Sequence, residues 1–386
     1  MAAEIQIPPT IKFGCGLLPE AAAIATRLKC VRPLVVTDRF MVEQGAPGLL
    51  ADALQQAGMD CAIFADTVPD PTSDVIAAGV AAYQSGGHDS LISIGGGSPI
   101  DTAKGIAMIA ANGGHPRDYK VPNPIPKSCP PHIAIPTTAG TGSEVTRFTV
   151  IIDSERNEKM LIAGGALMPT AAVVDYELSM TMPPRLTADT GTDSLTHAIE
   201  AYVSRKANAF TDGVALAAMK AIWDELPVAF NEPSNRKARE AMMVAATMAG
   251  IAFSNASVAL VHGMSRPIGA FFHVPHGLSN AMLLPAVTAF SADAAVERYA
   301  DCARAMGIAE ASEPAPSAVR KLVEALYRRN QELQVPSPKQ YGICEEKYFE
   351  AIPVMAAQAL ASGSPQNNPR IPTADEIQQL YRQVWA

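Results

Sequence analysis

Paired thiols are missing from this sequence. Its six cysteines, Cys15, Cys30, Cys61, Cys129, Cys302 and Cys344, form no C-x-x-C pair. That argues against a thiolate zinc site, a redox dithiol and a disulfide frame, and for small buried hydrophobes in a reducing compartment. Clustered basic charge is missing too. The 30 Lys and Arg are scattered among 38 Asp and Glu, for a net charge of -8, so no nucleic-acid surface is expected. No apolar run reaches membrane-spanning length without Gly, Pro or polar interruption. The opening MAAEIQIPPTIKFGCG has no basic segment leading into an apolar one, so neither a secretory leader nor a membrane partner is expected. These absences together point to a cytoplasmic location.

What is present is apolar material, 48% of 386 residues, too much chain for one typical core. The first half alternates short β-branched runs with helical spacing. Strands are expected at 31–37, 61–64, 91–94 and 133–135, and helices at 47–57 and 73–84. Such alternation predicts an α/β domain, a parallel sheet with helices on both faces. From about Pro183, Ala, Leu and Met recur at helical spacing, as in 212–223 and 236–253. The division expected is 1–182 α/β and 183–386 all-α. The Pro-rich stretch 121–131 reads as a surface loop.

Two loops have the chemistry of phosphate cradles. Gly95-Gly96-Gly97-Ser98 follows a strand and precedes a helix. Glycines admit a phosphate to the backbone, and the helix offers free N–H groups. Ser98 is placed to cap that helix or to donate to a phosphate; the other reading is an ordinary Gly-rich turn. The spacing is not G-x-G-x-x-G. The second loop, Pro136 to Val145, includes Thr137, Thr138 and Thr141 and also follows a strand. Asp38, at the end of the strand LVVT, suits the hydroxyls of an adenosine ribose and repels a 2′-phosphate. The other reading is ordinary turn chemistry, which often places an Asp at a strand's end.

The second half has a candidate metal set. Asp193 and His197 are four residues apart, on one helical face. His262, at the end of a long apolar helical pattern, and His276, after Val274-Pro275, each precede a glycine. A buried imidazole needs a partner, which a packed core also supplies. Three imidazoles and a carboxylate suit divalent Fe, Zn, Co or Mn, in a catalytic site with an open position. His273 reads either as a proton relay or as a solvated loop residue, and Glu200 either as an orienter of a ligand or as an ordinary helix glutamate.

Taken together the motifs resemble the iron-containing (group III) alcohol dehydrogenases. The resemblance runs through GGGSPIDTAK at 95–104, PTTAGTGSEVT at 136–146, GTDSLTHAIEAY at 191–202, VPHGLSNAMLLP at 274–285 and NPRIPT at 368–373. It implies a dehydroquinate-synthase-like architecture with the active site in the cleft between an N-terminal dinucleotide domain and a C-terminal helical one. It also implies NAD and Fe(II), with zinc as the other metal, an alcohol or aldehyde substrate, and a homodimer or larger homo-oligomer. Carried over by motif, the ligands are Asp193, His197, His262 and His276. The cofactor contacts are Asp38, Gly96, Gly97, Ser98, Asp101, Thr137, Thr138 and Thr141, with Asp70 in the adenine-side loop and Lys159 at the nicotinamide ribose. One position departs from the pattern. Many relatives have a second histidine four residues after the position of His262, and here Arg266 stands there. An arginine does not relay protons near neutral pH. It either recognises an anionic substrate or points away to a backbone carbonyl. The alternatives to an NAD-linked dehydrogenase are a dehydroquinate-synthase-like lyase and a non-catalytic NAD-binding protein.

Overall fold

The structure is a computed structural model describing residues 3–386, so the first two residues of the stretch read for a leader lie outside it. The chain forms two compact units that meet in sequence at Thr181 and Met182.

The first unit is built on eight strands and five helices. In chain order they are β1 (Thr10–Gly14), α1 (Leu18–Arg27), β2 (Pro33–Val36), α2 (Arg39–Glu43), α3 (Ala46–Gln56), β3 (Ala62–Phe64), α4 (Ser73–Ser85), β4 (Ser90–Gly95), α5 (Gly97–Asn112), β5 (His132–Pro136), β6 (Phe148–Asp153), β7 (Glu158–Ala163) and β8 (Ala171–Asp175). Six strands make one parallel sheet in the order β1-β8-β5-β4-β2-β3. Alternation along the strands sends side chains to opposite faces. Val35, Ile92, Ile94, Ile133 and Val173 pack under α1 and α3. Leu34, Val36 and Leu91 pack against α4 and α5 on the other face. Burial on both faces is why these strands read as continuous apolar runs. The antiparallel pair β6–β7 was not foreseen. Its alternation of buried and half-buried residues is visible only once the hairpin is known.

His132 opens β5, buried, with its Nε2 2.8 Å from Ser93 Oγ. Burial, helped by the charge of Lys104, pushes its pKa from the ordinary 6.5 down to about 3. The folded protein therefore keeps this imidazole neutral while the unfolded chain takes up a proton below 6.5. Stability should fall as pH drops from 6.5 toward 3, by on the order of 3–5 kcal/mol across the window. Denaturant unfolding at pH 7 and pH 4 reads this slope. His132→Gln is expected to flatten it, and an unchanged slope would exclude His132 as its source.

The second unit is helical: α6 (Pro184–Val203), α7 (Ala209–Asn231), α8 (Arg236–Ala256), α9 (Leu260–Phe272), α10 (His276–Ser291), α11 (Val296–Ala305), α12 (Ala315–Glu332), α13 (Glu345–Ala361) and α14 (Ala374–Gln383). Helix α6 starts at Pro184, whose missing N–H costs nothing at a first turn. It is buried over most of its length and packs on α7, α8 and α10. His262 is not at the end of a long helix, as the apolar pattern suggested, but in the first turn of a new one. Ser257 takes a positive φ of 68° and ends α8. Asn367 Nδ2 secures the break by donating to Ser257 Oγ and Val258 O. Among the described residues no single helix is long and apolar enough to cross a membrane. The α8–α9 pair has the length and composition, but it bends by 105°.

Candidate metal centre and dinucleotide loops

Three neighbouring strands, β5, β4 and β2, end side by side. Their carboxyl ends lead into Thr137–Thr141, Gly96–Ser98 and Asp38. Strand β4 lies between neighbours that the chain reaches in opposite directions, the place where open α/β sheets take ligands. Gly96 precedes α5 in extended conformation. The two loops touch: a Cβ on Gly97 would stand 2.9 Å from Thr141 Cγ2, and one on Gly96 3.5 Å from Thr138 Oγ1. Ser98 does not cap the helix; Gly96 holds that position without a side-chain cap.

Several residues expected as cofactor contacts are already engaged. Asp38 caps α2, accepting Met41 N–H at 2.8 Å, which is the turn chemistry weighed from sequence. Asp101 accepts Ser143 Oγ–H at 2.6 Å on one carboxylate oxygen and Val150 N–H at 3.0 Å on the other. It thus braces the second loop. Burial pushes its carboxyl up, with Lys104, Ser143 and Val150 pulling against that shift. Lys159 on β7 donates to Asp70 Oδ1 at 2.7 Å, so the two residues expected near opposite ends of a dinucleotide are paired to each other.

Lys104 carries a role that its position in the sequence does not announce. On the buried face of α5, its ammonium reaches Ser143 O (2.7 Å), Thr146 O (2.9 Å) and Phe148 O (2.8 Å), with the Ser143 and Thr146 hydroxyls also in range. Burial draws its pKa from 10.5 to about 8, against the pull of Asp101 and Glu144. A lysine inside the otherwise apolar run after GGGSPIDTA was the available signal.

In the helical unit, Asp193 and His197 lie one turn apart on α6, and His262 and His276 open α9 and α10. The Nε2 atoms of His262, His197 and His276 stand 3.4, 3.8 and 3.8 Å from Asp193 Oδ1. Potential ligand atoms of Asp193, His262 and His276 all lie within 4.8 Å of one another. The ring of His197 stacks on those of His262 (4.5 Å) and Phe253 (4.1 Å). Burial pushes the Asp193 carboxyl up, but the imidazoles of His197, His276 and His262 outweigh it and hold it below the usual range.

Glu200 proves to be more than a helix glutamate. Its carboxylate accepts Ala259 N–H (2.9 Å) and Val261 N–H (2.6 Å), capping α9 in place of a capping side chain. It also lies 2.6 Å from His262 Nδ1. That bond fixes the tautomer and leaves the Nε2 lone pair facing Asp193. A mixed N/O donor set, oriented from behind by a carboxylate, fits a divalent cation. Glycine permits the assembly: a Cβ on Gly277 would sit 2.3 Å from the Asp189 carbonyl oxygen.

Arg266, one turn beyond His262, donates to Ser364 Oγ at 3.0 Å, a hydroxyl where a backbone carbonyl was the alternative. Burial lowers its pKa, with Glu200 opposing. His273 ends α9 in the left-handed conformation (φ 54°). It serves as the helix stop, a place usually taken by glycine or asparagine.

Residues 8–176 match the family description "Iron-containing alcohol dehydrogenase", and residues 187–385 match "Fe-containing alcohol dehydrogenase family, C-terminal". The chain belongs to the iron-containing alcohol dehydrogenase family. It is 40% identical over 380 residues to the NAD-dependent methanol dehydrogenase of Bacillus methanolicus, covering 97% of this chain and 98% of that one. The crystal structure of a 1,3-propanediol oxidoreductase superposes with a TM-score of 0.94 at 34% identity, covering all of both chains. The sulfoacetaldehyde reductase of Bifidobacterium kashiwanohense, solved with NAD+, gives 0.89 at 29% identity, over 100% of this chain and 99% of that one. The family and these relatives are alcohol and aldehyde oxidoreductases, which sets the activity class and favours it over the lyase and the silent binding protein.

Proposed function

We propose that this chain transfers hydride reversibly between NAD(H) and a primary alcohol/aldehyde pair, with Asp193, His197, His262 and His276 holding a divalent iron. Zinc is the other cation these donors accept. The observation that carries the reading is the convergence of three imidazole nitrogens on one buried carboxylate oxygen. When bound, such a cation supplies Lewis acidity toward the alcohol or carbonyl oxygen. The protein's part is orientation. Glu200 aims His262, and the packing of α10 on α6 sets His276 against Asp193. Gly96, Gly97 and Ser98 offer backbone N–H groups at the start of α5 to a pyrophosphate. Thr137, Thr138 and Thr141 line the neighbouring loop, and Asp38 faces the adenosine ribose with its second carboxylate oxygen. The pair Lys159–Asp70 sits beside the dinucleotide. Asp101 reaches the cofactor through the loop it braces.

Arg266 favours an anionic group on the substrate. Among the described residues no carboxylate forms an ion pair with it; its hydrogen-bond partner is a hydroxyl, and Glu200 acts on it only through its charge. His273 is the side chain offered for proton exchange. Free cysteines support a cytoplasmic setting, and β1, an edge strand with one side unpaired in the sheet, supports a homo-oligomer.

The test is a screen of neutral and anionic alcohols and aldehydes with NAD(H), metal content being measured on the same sample. NADH formation should vanish on chelation and return with Fe(II) or Zn(II). Full turnover by metal-free protein would sink the reading. In the same screen Arg266→Ala should raise KM for anionic aldehydes by about tenfold or more over neutral ones; equal effects would retire the anionic substrate.

A further inference from the structure

Asn280 plays no part in the chemistry above. It lies on α10 one turn after His276 and is fully buried. Its amide nitrogen stands 2.6 Å from Asp193 Oδ1, 3.2 Å from His262 Nε2 and 3.3 Å from His276 Nε2. Asp193, His262 and His276 are the three whose potential ligand atoms all lie within 4.8 Å of one another. The amide has two hydrogens to give, and both go into this cluster. Its oxygen is buried without a hydrogen-bond partner among the described residues. A side chain that leaves its own acceptor unmet in order to aim its donor at three acceptors is acting on that cluster.

The lone pairs that accept from Asn280 are those a cation needs. An imidazole Nε2 has one lone pair, and it cannot face an N–H and a metal at once. The amide's N–H groups offer the three atoms one shared donor without bringing a charge.

We propose that Asn280 is a competitor built into the metal site. Its carboxamide gathers the lone pairs of Asp193, His262 and His276 onto one point and is displaced when a divalent cation binds. It thereby weakens cation affinity and keeps the site assembled without a cation. The inference rests on the reading of those three residues as ligands.

The test uses the full chain, treated with chelator and then titrated with Zn(II) against a chromophoric chelator, with thermal unfolding followed in both states. Asn280→Ala is expected to bind Zn(II) about tenfold more tightly, because no hydrogen bond to a charged group has to be given up. Its midpoint in chelator should fall, and its midpoint in saturating Zn(II) should not. If Asn280→Ala does not fold in chelator, Asn280→Ser, purified with Zn(II), carries the same expectation, its hydroxyl being too short to reach the three atoms. An unchanged or weakened affinity overturns the competitor, and a weakened one makes the amide oxygen a ligand instead. His262→Ala separates the two ideas. If it binds Zn(II) as tightly as the wild type, or if the wild type binds none, the ligand assignment falls and the inference with it. Lost binding in His262→Ala beside unchanged binding in Asn280→Ala overturns the competitor alone.

Discussion

Gly277→Ala should cost the protein its cation while the rest of the helical unit stays folded. The added methyl would stand 2.3 Å from Asp189 O and 2.7 Å from Asp189 C, both backbone atoms of α6. No rotamer relieves such a contact, so α10 has to move off α6 by roughly an ångström. His276 precedes Gly277 directly, and Asp193 lies one turn after Asp189. The displacement therefore falls on the 3.8 Å approach of His276 to Asp193. Disturbing the support of a metal ligand in this way costs about 10–100-fold in metal affinity. Overpacking adds about 1–3 kcal/mol of lost stability. Metal content after dialysis and the Zn(II) dissociation constant read the first effect, and denaturant unfolding the second. The control is Gly213→Ala on α7, where a Cβ meets nothing within 4 Å. There the change should stabilise by about 0.5–1 kcal/mol. If Gly277→Ala behaves like Gly213→Ala, the close approach of α10 to α6 does not hold the site.

Lys104→Met should loosen the second phosphate loop and weaken the dinucleotide. Methionine keeps most of the volume but none of the donors. The carbonyls of Ser143, Thr146 and Phe148 lose the ammonium, and the half-buried Asp101 carboxylate loses its nearby cation. Removing one member of a buried charged network costs about 3–5 kcal/mol. The loss is local to the chain between β5 and β6, so amide exchange should quicken at residues 143–150 before it does in β4. NAD affinity should drop by about tenfold or more, since Thr137, Thr138 and Thr141 lead into that segment. Unchanged exchange there would make Lys104 a passenger of α5.

The fold was legible where burial is two-sided and repetitive. The strands around Val35, Ile92 and Ile133 stood out because both faces of a parallel sheet are covered. Their limits drifted by one or two residues where strand ends merge into turns. Helix α9 was misread because Ala256 and Leu260 continue one apolar pattern across a break made by backbone, at Ser257, with a partner more than a hundred residues away, Asn367. That Asp193, His197, His262 and His276 come together was legible from spacing joined to family resemblance. The supports of this cluster were not. Glu200 looks like any helix glutamate until α9 brings its free N–H groups to it. Asn280 shows only as a polar residue four positions after His276, and Lys104 only as a charge in an apolar helix. Long-range partners of this kind leave little trace in local pattern.

The pairing of β1 with β8 sets an order of events as the chain is made. Thr10–Gly14 sits at the edge of the sheet beside Ala171–Asp175, and Asp175 accepts the N–H groups of Gly16 and Leu17. The first strand of this sheet thus takes its place only after the last one emerges, about 10–30 s later at ordinary rates of translation. Until then β1 and the near side of β5 both present unpaired strand edges. The nascent chain is most exposed to misassociation in that interval, and a ribosome stalled before Asp175 would hold the first unit there.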